Sequence, residues 1–260
     1  MKYLIRELPL KTALMAALLT LVSFRIRNWN NIAFLVAIFG IFATFSTLVY
    51  DDWRDRLLDA ARGKTTPAFV IFFGFCALAM MMVGVFVFAT SLGQTTKISF
   101  GFLSLAIIFT GLFYQGTRRI PLMPISIVAI TAASGTLYPI LISPARQSWL
   151  LFAAVVLLIA SRETIKDIGD YITDIGINGH YQKWTLPVAI GIKHSKIIAI
   201  LLILVSLIIL AEISFIILVS IPLFLLFIFQ LIANKESESV KSTFDLCSII
   251  GLIMLLIFGA

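Results

Sequence analysis

The chain alternates long apolar stretches with short polar ones. Residues 32–50, 65–96, 98–117, 120–145 and 213–234 contain no Asp, Glu, Lys or Arg. Each is of the length, about 20 residues, that a helix needs to cross a hydrocarbon core. Shorter runs at 12–24, 147–161 and 197–211 reach that length if their helices extend into polar flanks whose long side chains snorkel back to the interface. A last run, 242–260, carries Asp245 near its start. The runs are continuously apolar, which excludes the alternating ten-residue strands of a membrane β-barrel. The pattern predicts an all-α, polytopic membrane bundle of about nine transmembrane helices, a single domain over residues 1–260.

Composition sharpens this picture. The sequence is 60% hydrophobic and 13% charged, with a mean hydropathy of +1.06. A soluble domain carries about a quarter charged residues, so lipid is the expected outer solvent. The net charge of +7 raises a nucleic-acid partner, but no segment is long and polar enough to form a solvated basic face. The basic residues instead flank the apolar runs. With nine spans and a cytoplasmic N-terminus, sixteen fall on the cytoplasmic side: Lys2, Arg6, Lys11, Arg54, Arg56, Arg62, Lys64, Arg118, Arg119, Arg162, Lys166, Lys183, Lys193, Lys196, Lys235 and Lys241. Only Arg25, Arg27, Lys97 and Arg146 fall opposite. That bias orients the chain as a multi-pass protein of the inner or plasma membrane. Arg25 and Arg27 follow the first run without a small-residue cleavage site, so it reads as a retained span. Cys76 and Cys247 lie in apolar surroundings outside any C-x-x-C pair and read as packing residues.

The acids are distributed quite differently. Of thirteen, eight lie in two short segments: Asp51, Asp52, Asp55 and Asp59, then Glu163, Asp167, Asp170 and Asp174. Asp52, Asp55 and Asp59 recur 115 residues later as Asp167, Asp170 and Asp174. This echo suits two four-helix repeats plus one further helix, with a site between the halves, though one shared spacing is also compatible with chance. Spacings of three and four predict that each set occupies one face of a helix. Like charges so stacked repel, and near a membrane each is costly. A hard divalent cation resolves the conflict: Mg²⁺ takes one or two carboxylates, keeps some waters and fills the rest with phosphate oxygens. Basic residues surround the same segments, with Arg54, Arg56, Arg62 and Lys64 at the first, Arg162 and Lys166 at the second, and Arg118 and Arg119 on the same side. Carboxylates, Mg²⁺ and cations together suit a diphosphate whose charge grows as it leaves. The apolar bundle offers a dry chamber for a lipid tail, and Phe113, Tyr114 and Trp53 are candidates to shield a carbocation with their π faces. His180 and His194 pair with no Ser or Cys at motif spacing, and Gly176 and Gly179 form no phosphate loop.

These residues resemble the signatures of the UbiA superfamily of intramembrane prenyltransferases. The family's N-D-x-x-D-x-x-x-D stands here as Asp51, Asp52, Asp55 and Asp59. Its R-E-x-x-K-D-x-x-D-x-x-x-D stands as Arg162, Glu163, Lys166, Asp167, Asp170 and Asp174, followed by Thr185, Leu186, Pro187 and Gly191. Tyr114 and Arg118 match a fourth-helix Tyr-x-x-x-Lys/Arg element. The pattern looks most similar to the branch containing geranylgeranylglyceryl-phosphate geranylgeranyltransferases and chlorophyll synthases. The resemblance implies Mg²⁺-dependent transfer of an isoprenoid chain from a prenyl diphosphate to an aromatic or lipid acceptor. It implies metal contacts at Asp51, Asp55, Asp167 and Asp170, with Asp52, Asp59 and Asp174 completing the clusters. Lys166 and Arg118 would bind the diphosphate, with Arg119, Arg162 and Lys64 nearby; Asp55, Asp170, Lys166, Arg118 and Tyr114 would carry the catalysis. The active site, built from segments 51–67 and 162–187, would face the cytoplasm. Two departures stand out: Asp51 replaces the family's Asn, and Arg62 to Pro67 replace the usual R-P-x-x-x-G stretch. Prenyl-diphosphate cyclisation, phosphoribosyl transfer to a polyprenyl phosphate, and, in another class, cation-coupled transport remain alternatives. A transporter should place its acids at mid-membrane on broken helices.

Overall fold

A computed structural model describes residues 10–26, 32–61, 72, 74–76, 79, 94–117, 120, 122–175, 184–214, 221–232 and 237–258. Eleven α-helices and a 3₁₀ turn have bounds among these residues, residues 72, 74–76 and 79 are helical as well, and there is no strand among the described residues. Four helical segments are long and apolar enough to cross a membrane: Ala33–Tyr50, Met123–Ile142, Arg146–Gly169 and Ile192–Ile213. Thr12–Arg25, Ile98–Thr110 and Ser242–Ile257 are shorter apolar helices. The expected span within 65–96 falls largely outside the described residues.

α1 (Leu10–Arg25) and α2 (Ile32–Ala61) form a hairpin. α2 has 30 residues, about 45 Å at 1.5 Å per residue. Its apolar part ends at Tyr50, so the turns carrying Asp51, Asp52, Asp55 and Asp59 continue the helix beyond it. α3 (Gln94–Thr117) follows. The expected 120–145 span is interrupted: α4 (Met123–Ala133) gives way to a 3₁₀ turn, Ser134–Thr136, then α5 (Leu137–Ile142). Gly135 sits in that turn because α1 crosses it closely. A Cβ there would lie 2.5 Å from Thr20 Oγ1.

α6 (Arg146–Gly169) is longer than its apolar run and carries Arg162, Glu163, Lys166 and Asp167 within the helix. α7 (Tyr171–Ile175) and α8 (Leu186–Ile190) precede α9 (Ile192–Ile213). α6 and α9 pack antiparallel. Ser161 Oγ donates to the Ala199 carbonyl at 2.9 Å and Ser206 Oγ to the Ala154 carbonyl at 2.8 Å. Both pairings keep the same register, and all four residues are small enough to let the backbones approach. Arg146 pairs with Glu212 at the far end of the same two helices. Gly191 joins α8 to α9 at φ 83° and ψ 159°, a region open essentially to glycine alone. α10 (Ile221–Ile232) and α11 (Ser237–Phe258) close the bundle, and Lys196 Nζ donates to the Leu231 carbonyl near the C-terminus of α10.

The main core joins Leu19 and Val22 of α1 to residues of α6, α9, α10 and α11. Phe34, Phe102, Ile208 and Phe229 project outward and are mostly exposed, as lipid-facing side chains should be. A second cluster gathers Phe24, Ala33, Val36, Phe100 and Tyr138. It joins the end of α1, the start of α2, the early part of α3 and Tyr138 of α5, the short helix that precedes α6. α2, α3 and α6 therefore all run away from this end, and both acidic segments emerge at the opposite one.

Candidate functional site

A cavity of about 440 Å³ opens between α1, α2, α3, α4, α6 and α11, within the roughly 300–1,000 Å³ range of small-ligand sites. Its α6 wall consists of Leu151, Val155, Leu158, Ile159, Arg162, Glu163 and Lys166. These positions recur at the helical period and form one face. From Leu151 to Lys166 the wall is about 22 Å long at 1.5 Å per residue and passes from purely apolar to charged. Tyr114, from the far end of α3, and Thr47, from α2, line the cavity with them. At the deep end Phe39 and Tyr138 meet edge to face, with centroids 6.3 Å apart. The Tyr138 hydroxyl is held by Ser104 Oγ at 2.9 Å.

The charged end is internally organised. Arg162 Nε donates to Asp245 Oδ1 at 2.8 Å, and its Nη1 donates to Glu163 Oε1 at 2.6 Å. The three side chains are 16%, 6% and 10% exposed respectively. Asp245 comes from α11, so the guanidinium ties the last helix to the wall of the cavity. Two of its five N–H groups serve carboxylates. The sequence places Glu163 in the second acidic segment without marking a role for it, and its spacing does not tie Asp245 to either segment. The available signal for Asp245 was its isolation: it is the one acid in the apolar run 242–260.

The expected site residues are distributed as follows. Lys166, Arg162 and Tyr114 line the cavity. Asp167 is fully buried and Asp170 is exposed. The second acidic set does not share one continuous helix face: α6 ends at Gly169, Asp170 occupies a turn at φ −88° and ψ 2°, and Asp174 lies on α7. Glycine's poor helix propensity fits a break there. The backbone of Asp51, Asp52, Asp55 and Asp59 is helical in α2. The side chains of these four and of Asp174 lie outside the described residues, as do that of Phe113 and the whole of Lys64, Arg118, Arg119, His180, Gly176 and Gly179. Trp53 packs between Tyr50 and Phe75, at 5.8 and 6.2 Å, and is not among the cavity-lining residues. His194 is exposed at the start of α9.

Among the described residues no three potential ligands form a ready cation cage. Mg²⁺ needs only one or two protein carboxylates, and buried Asp167 beside exposed Asp170 supplies hard oxygen donors of that kind.

The model of the UbiA prenyltransferase family matches residues 10–256. No curated protein matches the sequence significantly. Two solved structures share the fold. One is an apo UbiA homolog from Aeropyrum pernix K1, with a TM-score of 0.71 at 18% identity, covering 93% of this chain and 96% of that one. The other is a digeranylgeranylglyceryl phosphate synthase, with a TM-score of 0.65 at 17% identity, covering 96% and 95%.

Proposed function

The chain belongs to the UbiA prenyltransferase family, and from that premise we propose that it transfers an isoprenoid chain from a prenyl diphosphate to an aromatic or lipid acceptor, with Mg²⁺ as cofactor. The observation that carries this reading is the cavity wall of α6, apolar from Leu151 to Ile159 and charged from Arg162 to Lys166. A prenyl diphosphate has the same division between an apolar tail and an anionic head.

In this reading Lys166 and Arg118 hold the diphosphate, with Arg119, Arg162 and Lys64 adding positive charge. Asp51, Asp55, Asp167 and Asp170, with Asp52, Asp59 and Asp174 completing the clusters, would hold the metal. When bound, Mg²⁺ would neutralise charge developing on the departing diphosphate. Tyr114 faces the cavity at its charged end, where its ring can stabilise positive charge at the reacting carbon. The apolar wall keeps water from that carbon. By the charge bias of the loops, the acidic end faces the cytoplasm.

The test uses purified protein in nanodiscs with Mg²⁺ and labelled geranyl, farnesyl and geranylgeranyl diphosphates. Geranylgeranylglyceryl phosphate and 4-hydroxybenzoate serve as acceptors, the first because one structural neighbour is named for the product of a lipid of that class. Prenylated acceptor is the expected product. Asp55→Ala and Asp170→Ala should each reduce diphosphate release by at least 100-fold, given the several kcal/mol that metal-borne charge stabilisation supplies. Undiminished release in both variants would refute the two-cluster site.

A further inference from the structure

Prenylation replaces a hydrogen on the acceptor, so a proton must leave. The C1–O bond of the prenyl diphosphate breaks and its electron pair departs with the diphosphate. C1 then bonds to an oxygen or ring carbon of the acceptor through the acceptor's electrons. The acceptor's O–H or C–H bond breaks last, and its pair stays on the acceptor. Some base must receive that proton within a chamber otherwise built to exclude water.

Resting on the prenyl-transfer reading, we propose that Glu163 accepts this proton and that Asp245, acting through Arg162, is the residue that positions it. Among the described residues, Glu163 is the one acid lining the cavity. The other ionisable groups there are Arg162 and Lys166, which are cations, the phenols Tyr114 and Tyr138, and the thiol of Cys247, which comes from α11. Its height is also appropriate. Glu163 stands three residues, about 4.5 Å along the helix axis, from Lys166 on the side of the apolar chamber. The breaking C1–O bond belongs at this boundary between the charged end and the hydrocarbon tail. Arg162 fixes the carboxylate through the 2.6 Å hydrogen bond, and Asp245 fixes Arg162 from another helix through the 2.8 Å one. The proton lost from an oxonium or arenium centre is far more acidic than a carboxylic acid, so a carboxylate engaged with arginine has ample driving force to take it.

A structural ion pair alone would produce the same contacts, so the test reads coupling rather than rate. Full-length protein in nanodiscs is given Mg²⁺ and labelled geranylgeranyl diphosphate, with geranylgeranylglyceryl phosphate or 4-hydroxybenzoate as acceptor. Prenylated product is counted against diphosphate released. Wild type should give one product per diphosphate. Glu163→Gln keeps the size of the side chain and a hydrogen-bonding carbonyl; loss of a general base slows proton transfer about 10²–10⁴-fold, so water should capture C1 in place of the acceptor and lose a proton to bulk solvent, lowering that ratio at least tenfold with geranylgeraniol accumulating. Glu163→Asp should recover part of the ratio. Asp245→Asn should lower it severalfold, and Asp245→Glu should restore it more than Asp245→Ala does. Thermal unfolding of each variant verifies that it is folded. Glu163→Gln folded with an unchanged ratio would overturn the proposal, and so would an equal loss of product and diphosphate release. A wild-type protein releasing no diphosphate with either acceptor would instead overturn the prenyl-transfer reading itself.

Discussion

Removing Arg162 should be far more damaging than removing either of its partners, although each contact is a single hydrogen bond. Arg162 lies between two carboxylates, Glu163 and Asp245. If Asp245 becomes Leu, one charge-assisted bond is lost, about 1.5–3 kcal/mol, while Arg162 keeps Glu163. If it becomes Asn, a carbonyl still accepts from Nε and the cost falls to about 1 kcal/mol, the difference between charged and neutral acceptors. Arg162→Met instead leaves two carboxylates, 10% and 6% exposed, without their shared cation. Breaking a buried pair this way costs about 3–5 kcal/mol. The assay is reversible unfolding in mixed micelles titrated with dodecyl sulfate, over the cycle of wild type, Arg162→Met, Asp245→Leu and the double variant. Because the double variant removes one stranded carboxylate, it should be no less stable than Arg162→Met alone. The coupling energy should reach about 1.5–3 kcal/mol, in the upper part of the range for residues in contact. Additivity within about 0.5 kcal/mol, or an Arg162→Met cost no greater than that of Asp245→Leu, would refute the reasoning.

Other expectations follow from particular glycines. Gly251 lines the cavity and a Cβ there meets nothing within 4 Å, so Gly251→Leu should raise the KM for geranylgeranyl diphosphate at least tenfold while shifting stability by less than about 1 kcal/mol; an unchanged KM would contradict the assignment of the tail to this chamber. Gly135→Ala places a Cβ 2.5 Å from Thr20 Oγ1 and should cost about 1–3 kcal/mol as an overpacking change. Adding Thr20→Ala should recover most of that, because the next contact, to Thr20 Cβ, is at 3.7 Å; a double variant no better than the single would show that the strain lies elsewhere. Gly191→Ala forces a side chain into φ 83° and should destabilise by about 1–3 kcal/mol, read as a lowered midpoint in the same dodecyl sulfate titration.

The spans were legible because lipid imposes a severe rule: every backbone group must be satisfied within its own helix, and the outward side chains must be apolar. That rule gives α1, α3, α6, α9 and α11 as apolar runs in the sequence. It fails where local hydrogen bonding substitutes for hydropathy. Ser134 and Thr136 return their hydroxyls to the Thr131 and Ala133 carbonyls, so the break between α4 and α5 leaves no charged residue to mark it. It fails again at the end of α6. The apolar run stops at Ser161, yet the helix continues to Gly169. Glu163 is buried there and Arg162 largely so, because their charges are answered by each other and by Asp245. The last partner is 83 positions away in the chain, beyond anything periodicity can register.

The same contrast bears on the two acidic signatures. Their spacing is identical, which suggests equivalent roles. The helices that carry them are not equivalent. α2 runs through its acids without interruption to Ala61, whereas α6 stops between Asp167 and Asp170. A continuous helix fixes the relative positions of the Cα atoms that carry its acids. A break after the first leaves Asp167 buried against the bundle and Asp170 exposed, which in the proposed site would make one a fixed donor and the other an adaptable one. Charge spacing therefore identifies where the acids belong along the chain, but the glycine between them decides what each can do. Substituting Gly169 by Ala would favour continuity of α6 by roughly 1 kcal/mol, carrying Asp170 onto the helix beside Asp167 and making the two segments more alike in structure.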